Sequence, residues 1–269
     1  MSIISTYDRQ ALRKDYQSAK PYPHIVIDNF LDFGVASAAA GEYLPYEQAL
    51  PLGKSFAKVN ENKKVQIVDP EKFPTNISRI TAALAAPDLL ADLEYITGID
   101  NLIWDPKFSG GGMHQTGRSG WLDVHVDFNF NEELQFHRRL NILIYLNPTW
   151  EPSWGGNLEL WDSGVEKLFH SIEPVMNRCV IFTTSQISQH GVSAVNCPEG
   201  IQRQSIAAYY YTKEAPVGWD GKKHSTIFTA RPEEYMKRNL LMPAESAIEK
   251  AKSLWQDAKN SVKNAIGRD

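Results

Sequence analysis

Apolar and polar residues alternate one by one through the middle of the chain, while toward both ends the apolar positions spread to every third or fourth residue. Alternation sends successive side chains to opposite faces of a strand, and the longer spacing lines one face of a helix. Between about 101 and 212 the alternation predicts eight short strands: Leu102–Trp104, Met113–Thr116, Trp121–Asp127, Leu140–Asn147, Asn157–Trp161, Lys167–Ile172, Arg178–Thr183 and Gln202–Tyr211. Gly110–Gly112 and Gly117–Gly120 read as loops. Many short strands separated by turn signals predict a sandwich or barrel of jelly-roll type, a double-stranded β-helix.

The flanks are helical. His24–Asp28 reads as a short strand, followed by an Ala-rich helix near Val35–Tyr43 that Pro45 stops. Met1–Lys20 and residues 50–77 are polar, and no element is predicted there. Ser78 can cap a helix through Leu84, and Pro87 opens another whose Leu89, Leu93 and Ile96 share a face before Gly98 ends it. Beyond Arg231, Pro232–Leu241 is expected to be helical. A stripe of Ala244, Ala247, Ile248, Ala251, Leu254, Trp255, Ala258, Val262 and Ile266 then predicts a long C-terminal helix, packed on its own barrel or serving a homodimer. The fold class is mainly β with flanking α. One domain is expected over 1–269, with the jelly-roll core at about 101–212 and the helical extension at about 232–267.

Composition narrows the partners. A chain of 269 residues with 42% apolar content suits one large β domain. A net charge of −4 and a pI near 6.0 provide no basic surface for nucleic acid. No apolar run approaches a membrane span or the core of a signal peptide, so a cytoplasmic protein without a membrane partner is expected. Cys179 and Cys197 have neither a disulfide framework nor zinc-site spacing around them, which suits a reducing compartment.

The candidate chemistry lies in Trp121–Asp127. In regular alternation Leu122, Val124 and Val126 face one way, and Asp123, His125 and Asp127 face the other. A His and an Asp two apart on one strand face, joined by His190, supply two imidazoles and a carboxylate on one side of a metal. That set suits non-haem Fe(II) and leaves positions for oxygen and a co-substrate. Arg203 follows thirteen residues after His190 (203 − 190 = 13) and opens a strand on which Arg203, Ser205, Ala207 and Tyr209 share a face. If the co-substrate is 2-oxoglutarate, one end chelates the metal and the distal carboxylate needs a fixed cation. Arginine meets a carboxylate with two parallel hydrogen bonds and keeps its charge when buried, and the Ser205 hydroxyl stands beside it. On Leu140–Asn147, Asn141, Leu143 and Tyr145 face opposite to Leu140, Ile142, Ile144 and Leu146.

In their order along the chain, His125-Val-Asp127, Leu143-Ile-Tyr-Leu-Asn147, Trp154-Gly-Gly-Asn-Leu-Glu159, His190-Gly191 and Arg203-x-Ser205 resemble prolyl-hydroxylase-type 2-oxoglutarate/iron(II) dioxygenases. The likeness covers about Leu102 to Thr212, and Tyr22–Leu31 resembles the first strand of small bacterial members. It implies that His125, Asp127 and His190 bind Fe(II). It also implies that Arg203 pairs with the distal carboxylate of 2-oxoglutarate and that the Tyr145 hydroxyl contacts the same molecule, with Ser205 and Asn141 beside it. The implied reaction puts one oxygen of O2 into a C–H bond and releases succinate and CO2, with ascorbate as an accessory. Asp127 argues for hydroxylation, since a halogenase of this family has a small residue there. The expected substrate is small and amino-acid-like. Its carboxylate would be gripped by Arg138 or Arg139 under a lid at Phe128–Phe136, and His114 is a further lining candidate. A prolyl residue in a protein or peptide, a non-catalytic jelly-roll binding module, and a zinc or cupin-type enzyme are the alternatives.

Overall fold

The computed structural model describes residues 3–243. The helices α1 (Arg9–Ser18), α2 (Phe33–Ala40), α3 (Tyr46–Ala49), α4 (Thr75–Leu84) and α5 (Pro87–Thr97) all precede the main run of strands. The strands are β1 (His24–Ile27), β2 (Lys54–Ala57), β3 (Glu61–Ile67), β4 (Ile103–Trp104), β5 (Gly112–Val126), β6 (Phe130–Asn131) and β7 (Phe136–Tyr145). They continue with β8 (Leu158–Trp161), β9 (Leu168–Ile172), β10 (Cys179–Thr183), β11 (His190–Val192), β12 (Arg203–Thr212) and β13 (Ile227–Thr229). All pairings are antiparallel, and the main path runs β1-β10-β7-β12-β5-β11-β8-β9. The sheet curls into the jelly roll that the alternation predicts.

β5 joins the two halves of the roll. Its start, Gly112–Thr116, lies between β12 and β3; farther on, β11 pairs with Leu122 and His125 on one side, while Glu61 of β3 pairs with Leu122 and β13 with Val124–Val126 on the other. The expected loop at Gly117–Gly120 is therefore a bend within one strand, and Ser119 (φ 63°) carries the turn. Gly112 at the other end has φ 86°, and a Cβ there would stand 2.1 Å from the Ile67 carbonyl oxygen, so no other residue lets β3 approach β5 so closely.

The outer faces of β7, β10 and β12 present Leu140, Ile142, Ile144, Ile181, Ile206, Ala208 and Tyr210 to the helices, where Ile77, Ile80, Leu84, Leu93 and Ile96 complete a buried core. Each such side chain contributes about 1.5–3 kcal/mol on burial. The inner faces carry Leu143, Tyr145, Val180 and Phe182, packed against Leu158 and Leu160 from the opposite sheet.

Several expectations need correction. Residues 9–18 form a helix because Asp8 caps the amides of Gln10 and Ala11 and Tyr16 anchors it in the core. The polar stretch 50–77 contains the β2–β3 hairpin, which extends the sheet beside β5. α4 begins at Thr75 rather than at Ser78, whose hydroxyl instead bonds the Phe73 carbonyl. α2 begins at Phe33, capped by Asp32, and ends at Ala40. The helix expected over Pro232–Leu241 begins at Tyr235, and Lys237–Leu241 within it is a π turn. The long helix expected at 244–266 lies outside the described residues. Among the described residues, no helix is long and apolar enough to cross a membrane.

Candidate metal and co-substrate site

The registers bring three side chains to one point. His125 on β5 faces His190 on β11 as a cross-strand pair, with ring centres 4.2 Å apart. Asp127 follows one residue past β5. Its Oδ1 is 3.6 Å from His125 Nε2 and its Oδ2 is 3.5 Å from His190 Nε2. Those separations exceed a hydrogen bond and are those of ligands around a common centre. The three donor atoms all lie within 4.8 Å of one another, and the set can hold a metal ion.

Each imidazole is tethered from behind. His125 Nδ1 lies 2.8 Å from the Asp123 carbonyl, and His190 Nδ1 lies 2.9 Å from the Ser188 carbonyl. A ring whose Nδ1–H donates to a carbonyl presents the Nε2 lone pair forward, as metal binding requires. Burial first, and the neighbouring His125 second, push His190 down to about 4, so it stays neutral near pH 7. Asp127 accepts from Asn141 Nδ2 (2.8 Å) and pairs with Arg138 (3.0 Å). Burial would raise its pKa, but Arg138 and the two imidazoles outweigh that and hold the carboxyl well below its ordinary range. Arg138 is itself fixed, donating twice to Asn141 Oδ1 and lying 3.5 Å from the Tyr209 ring centre and 4.5 Å from that of Phe128.

The alternation along Trp121–Asp127 is broken. Val192 pairs with Leu122 while His190 pairs with His125, so three residues of β5 span two of β11, a β-bulge. Leu122 thereby enters the cavity with His125 and Asp127. Asp123 turns away to Arg231 and Lys237, and Val124 packs on Trp161 and Val165. Asp123 thus does not share the face of His125, contrary to regular alternation.

A cavity of about 280 Å³ opens in front of the three side chains. Arg203, Ser205, His114, Thr116 and Asn141 line it, since Arg203 pairs with Thr116 and Ser205 with both His114 and Tyr145. Arg203 is 5% exposed, donates from Nε to the Gly156 carbonyl at 2.6 Å, and lies 4.9 Å from the Tyr145 ring centre. Among the described residues no carboxylate pairs with it, and burial pulls its pKa down. The Tyr145 hydroxyl is buried and has no hydrogen-bond partner among the described residues. His114 Nε2 meets Gln66 at 3.1 Å.

Arg139 is not brought here. It faces the other side of β7 and donates to Thr212 Oγ1 at 3.0 Å. The expected lid Phe128–Phe136 is a hairpin, with β6 paired to the start of β7 and Asn131 Oδ1 capping the amides of Glu133 and Leu134. Phe128 reaches the cavity from it. The sequence reading missed Thr226 and Phe228, which also line the cavity; Phe228 pairs with His125 across β13 and β5, with ring centres 5.5 Å apart. The short run Ser225-Thr-Ile-Phe-Thr229, rich in β-branched residues, is the signal that marks this strand.

Residues 111–211 match the family model of the 2OG-Fe(II) oxygenase superfamily. That stretch contains His125, Asp127 and His190, the set that can hold a metal ion. The chain is 32% identical over 119 residues to prolyl 3-hydroxylase OGFOD1 of Mus musculus, covering 40% of this chain and 21% of that protein. The chain thus spans about a fifth of that relative's length. The fold is similar to a prolyl-4-hydroxylase of Pseudomonas putida, at a TM-score of 0.56 and 17% identity, covering 77% of this chain and 100% of that one. A prolyl hydroxylase of Trichoplax adhaerens, solved with a hypoxia inducible factor peptide fragment, matches at 0.52 and 18%, covering 76% and 89%.

Proposed function

We propose that the protein is a hydroxylase in which His125, Asp127 and His190 hold Fe(II) and Arg203 anchors 2-oxoglutarate. The observation that carries this reading is a buried, carboxylate-free arginine in the same cavity as two forward-facing imidazoles and a carboxylate. A cation buried without an anion is costly, and a dicarboxylate bound to the metal at one end would supply the anion at the other. When bound, iron and 2-oxoglutarate supply the oxidising chemistry: one atom of O2 enters the substrate C–H bond and the other enters succinate, with loss of CO2.

The chain's own residues bind, orient and exclude water. Arg138 and Asn141 hold the Asp127 carboxylate ionised and in one orientation. The Arg203 fork would meet the distal carboxylate of the co-substrate, with the Tyr145 and Ser205 hydroxyls next to it. Leu143, Leu158, Phe182, Phe128 and Phe228 keep the remaining walls apolar.

The substrate is read as small and amino-acid-like, because β13 and the Phe128 hairpin bound the cavity on two sides. Arg138 reaches the cavity for a substrate anion, although two of its nitrogens already serve Asn141 and Asp127. A prolyl residue in a peptide is the second reading, supported by the names of the similar proteins. The two free, buried cysteines suit a reducing cytoplasm, and an ascorbate requirement belongs to the same reading. Protein reconstituted anaerobically with Fe(II) should form succinate from 2-oxoglutarate, stimulated by a member of an amino-acid panel. Stimulation by prolyl peptides alone would replace the small-substrate reading. Full succinate formation by Asp127→Ala would overturn the metal assignment.

A further inference from the structure

Arg231 lies outside the matched stretch and on the side of β5 away from the cavity. Its guanidinium is buried, at 8% exposure, and sits at the bulge between β5 and β11. Nη2 donates to the Leu122 carbonyl (3.3 Å) on β5 and to the Val192 carbonyl (3.1 Å) on β11. The same nitrogen is 2.7 Å from Glu159 Oε2 on β8, and Nε donates to that oxygen at 2.8 Å. Nη1 lies 3.4 Å from Asp123 Oδ1. One planar group therefore touches the three neighbouring strands β5, β11 and β8. A bulge interrupts the ladder of hydrogen bonds between strands, and the guanidinium donates to carbonyls on both sides of this interruption.

Those contacts adjoin the tethers of both imidazoles. The peptide between Leu122 and Asp123 offers one carbonyl to Arg231, and the next carbonyl, that of Asp123, accepts from His125 Nδ1. Val192 is two residues beyond His190 on the three-residue strand β11. Gly191 between them leaves room for the guanidinium, since a Cβ there would lie 3.2 Å from Arg231 Nη2.

Resting on the assignment of His125, Asp127 and His190 as metal ligands, we propose that Arg231 is a positioning residue for the metal centre. It sets, from behind the sheet, the spacing and register of the two strands that carry the imidazoles. Lys237 provides the contrast. It pairs with the same Asp123 carboxylate, at 2.6 Å, and with Glu234, with no hydrogen bond to a β5 or β11 carbonyl.

The test is calorimetric titration of Co(II) into the full-length apoprotein, with circular dichroism and urea midpoints recorded on each variant. Wild type should bind one ion. Arg231→Ala should weaken binding about 10–100-fold, the range expected when a partner behind a metal ligand is lost. Lys237→Ala should stay within about threefold, because it removes charge from Asp123 and leaves the ladder contacts intact. Should Arg231→Ala not fold, Arg231→Lys decides: it keeps the charge beside Glu159, yet one ammonium cannot reproduce the fork, and affinity should fall by a smaller factor. Wild-type affinity in the folded arginine variant, or an equal loss in Lys237→Ala, overturns the positioning role. Failure of wild type to bind the ion overturns instead the metal assignment beneath it.

Discussion

Arg203 is a buried cation beside a buried tyrosine hydroxyl that has no hydrogen-bond partner among the described residues. Removing the guanidinium should strand the carboxylate it would bind and cost about 2–5 kcal/mol, roughly thirty-fold or more in affinity. Arg203→Ala should therefore raise the 2-oxoglutarate concentration for half-maximal turnover by at least that factor while Co(II) titration stays unchanged. Arg203→Lys should recover only part, since an ammonium lacks the fork. An unmoved titration curve for the Ala variant refutes the anchor role. His114 supports a pH prediction. Burial first, then Lys64 and Arg203, keep its pKa well below the ordinary histidine value, so the folded chain withholds a proton that the unfolded chain accepts. Stability from this group is present above pH 6.5 and is lost as pH falls below the unfolded value, toward the folded one. His114→Gln should remove that dependence, so that between pH 6.5 and 5 wild type loses more stability in urea unfolding than the variant. Parallel curves for the two proteins would refute it.

At the scale of elements, the positions of most long strands between 101 and 212 were legible because the inner and outer faces differ so sharply in polarity. Leu140–Asn147 shows this directly: its aliphatic positions face the helices, while Asn141, Leu143 and Tyr145 face inward. Among the features that were not legible, three have a clear physical reason. The Gly117–Gly120 bend resembles a loop because a strand that changes sheets needs the same conformational freedom as a turn. The β2–β3 hairpin is polar because it flanks a charged cavity mouth, with Lys54, Lys64 and Glu61 on the wall. The bulge at Leu122–Asp123 inverts the expected faces of two residues, and only the pairing partner on β11 determines that. His125 and Asp127 still share a face because both lie on the same side of the bulge.

For the whole molecule, the three side chains of the centre come from two strands joined by pairing, so a metal bound there binds the folded chain alone. Saturation at a hundred times the dissociation constant then stabilises the protein by about 2.7 kcal/mol. Adding Co(II) to apoprotein should raise the unfolding midpoint of wild type and leave that of Asp127→Ala in place, as read by thermal scans. An equal shift in both would place the bound ion elsewhere. The order of the chain has a further consequence, which falls during synthesis on the ribosome. His125, Asp127, His190 and Arg203 all emerge before Phe228 and Arg231, which pair with and brace the strands behind them. The last 28 residues of that stretch (231 − 203 = 28) need about 1–6 s at ordinary elongation rates. Through that interval a nascent chain already carries every residue assigned to iron and 2-oxoglutarate, yet lacks the edge strand and the clamp. A pause in translation between the two arginines would prolong the exposure of a site that lacks Phe228 and Arg231.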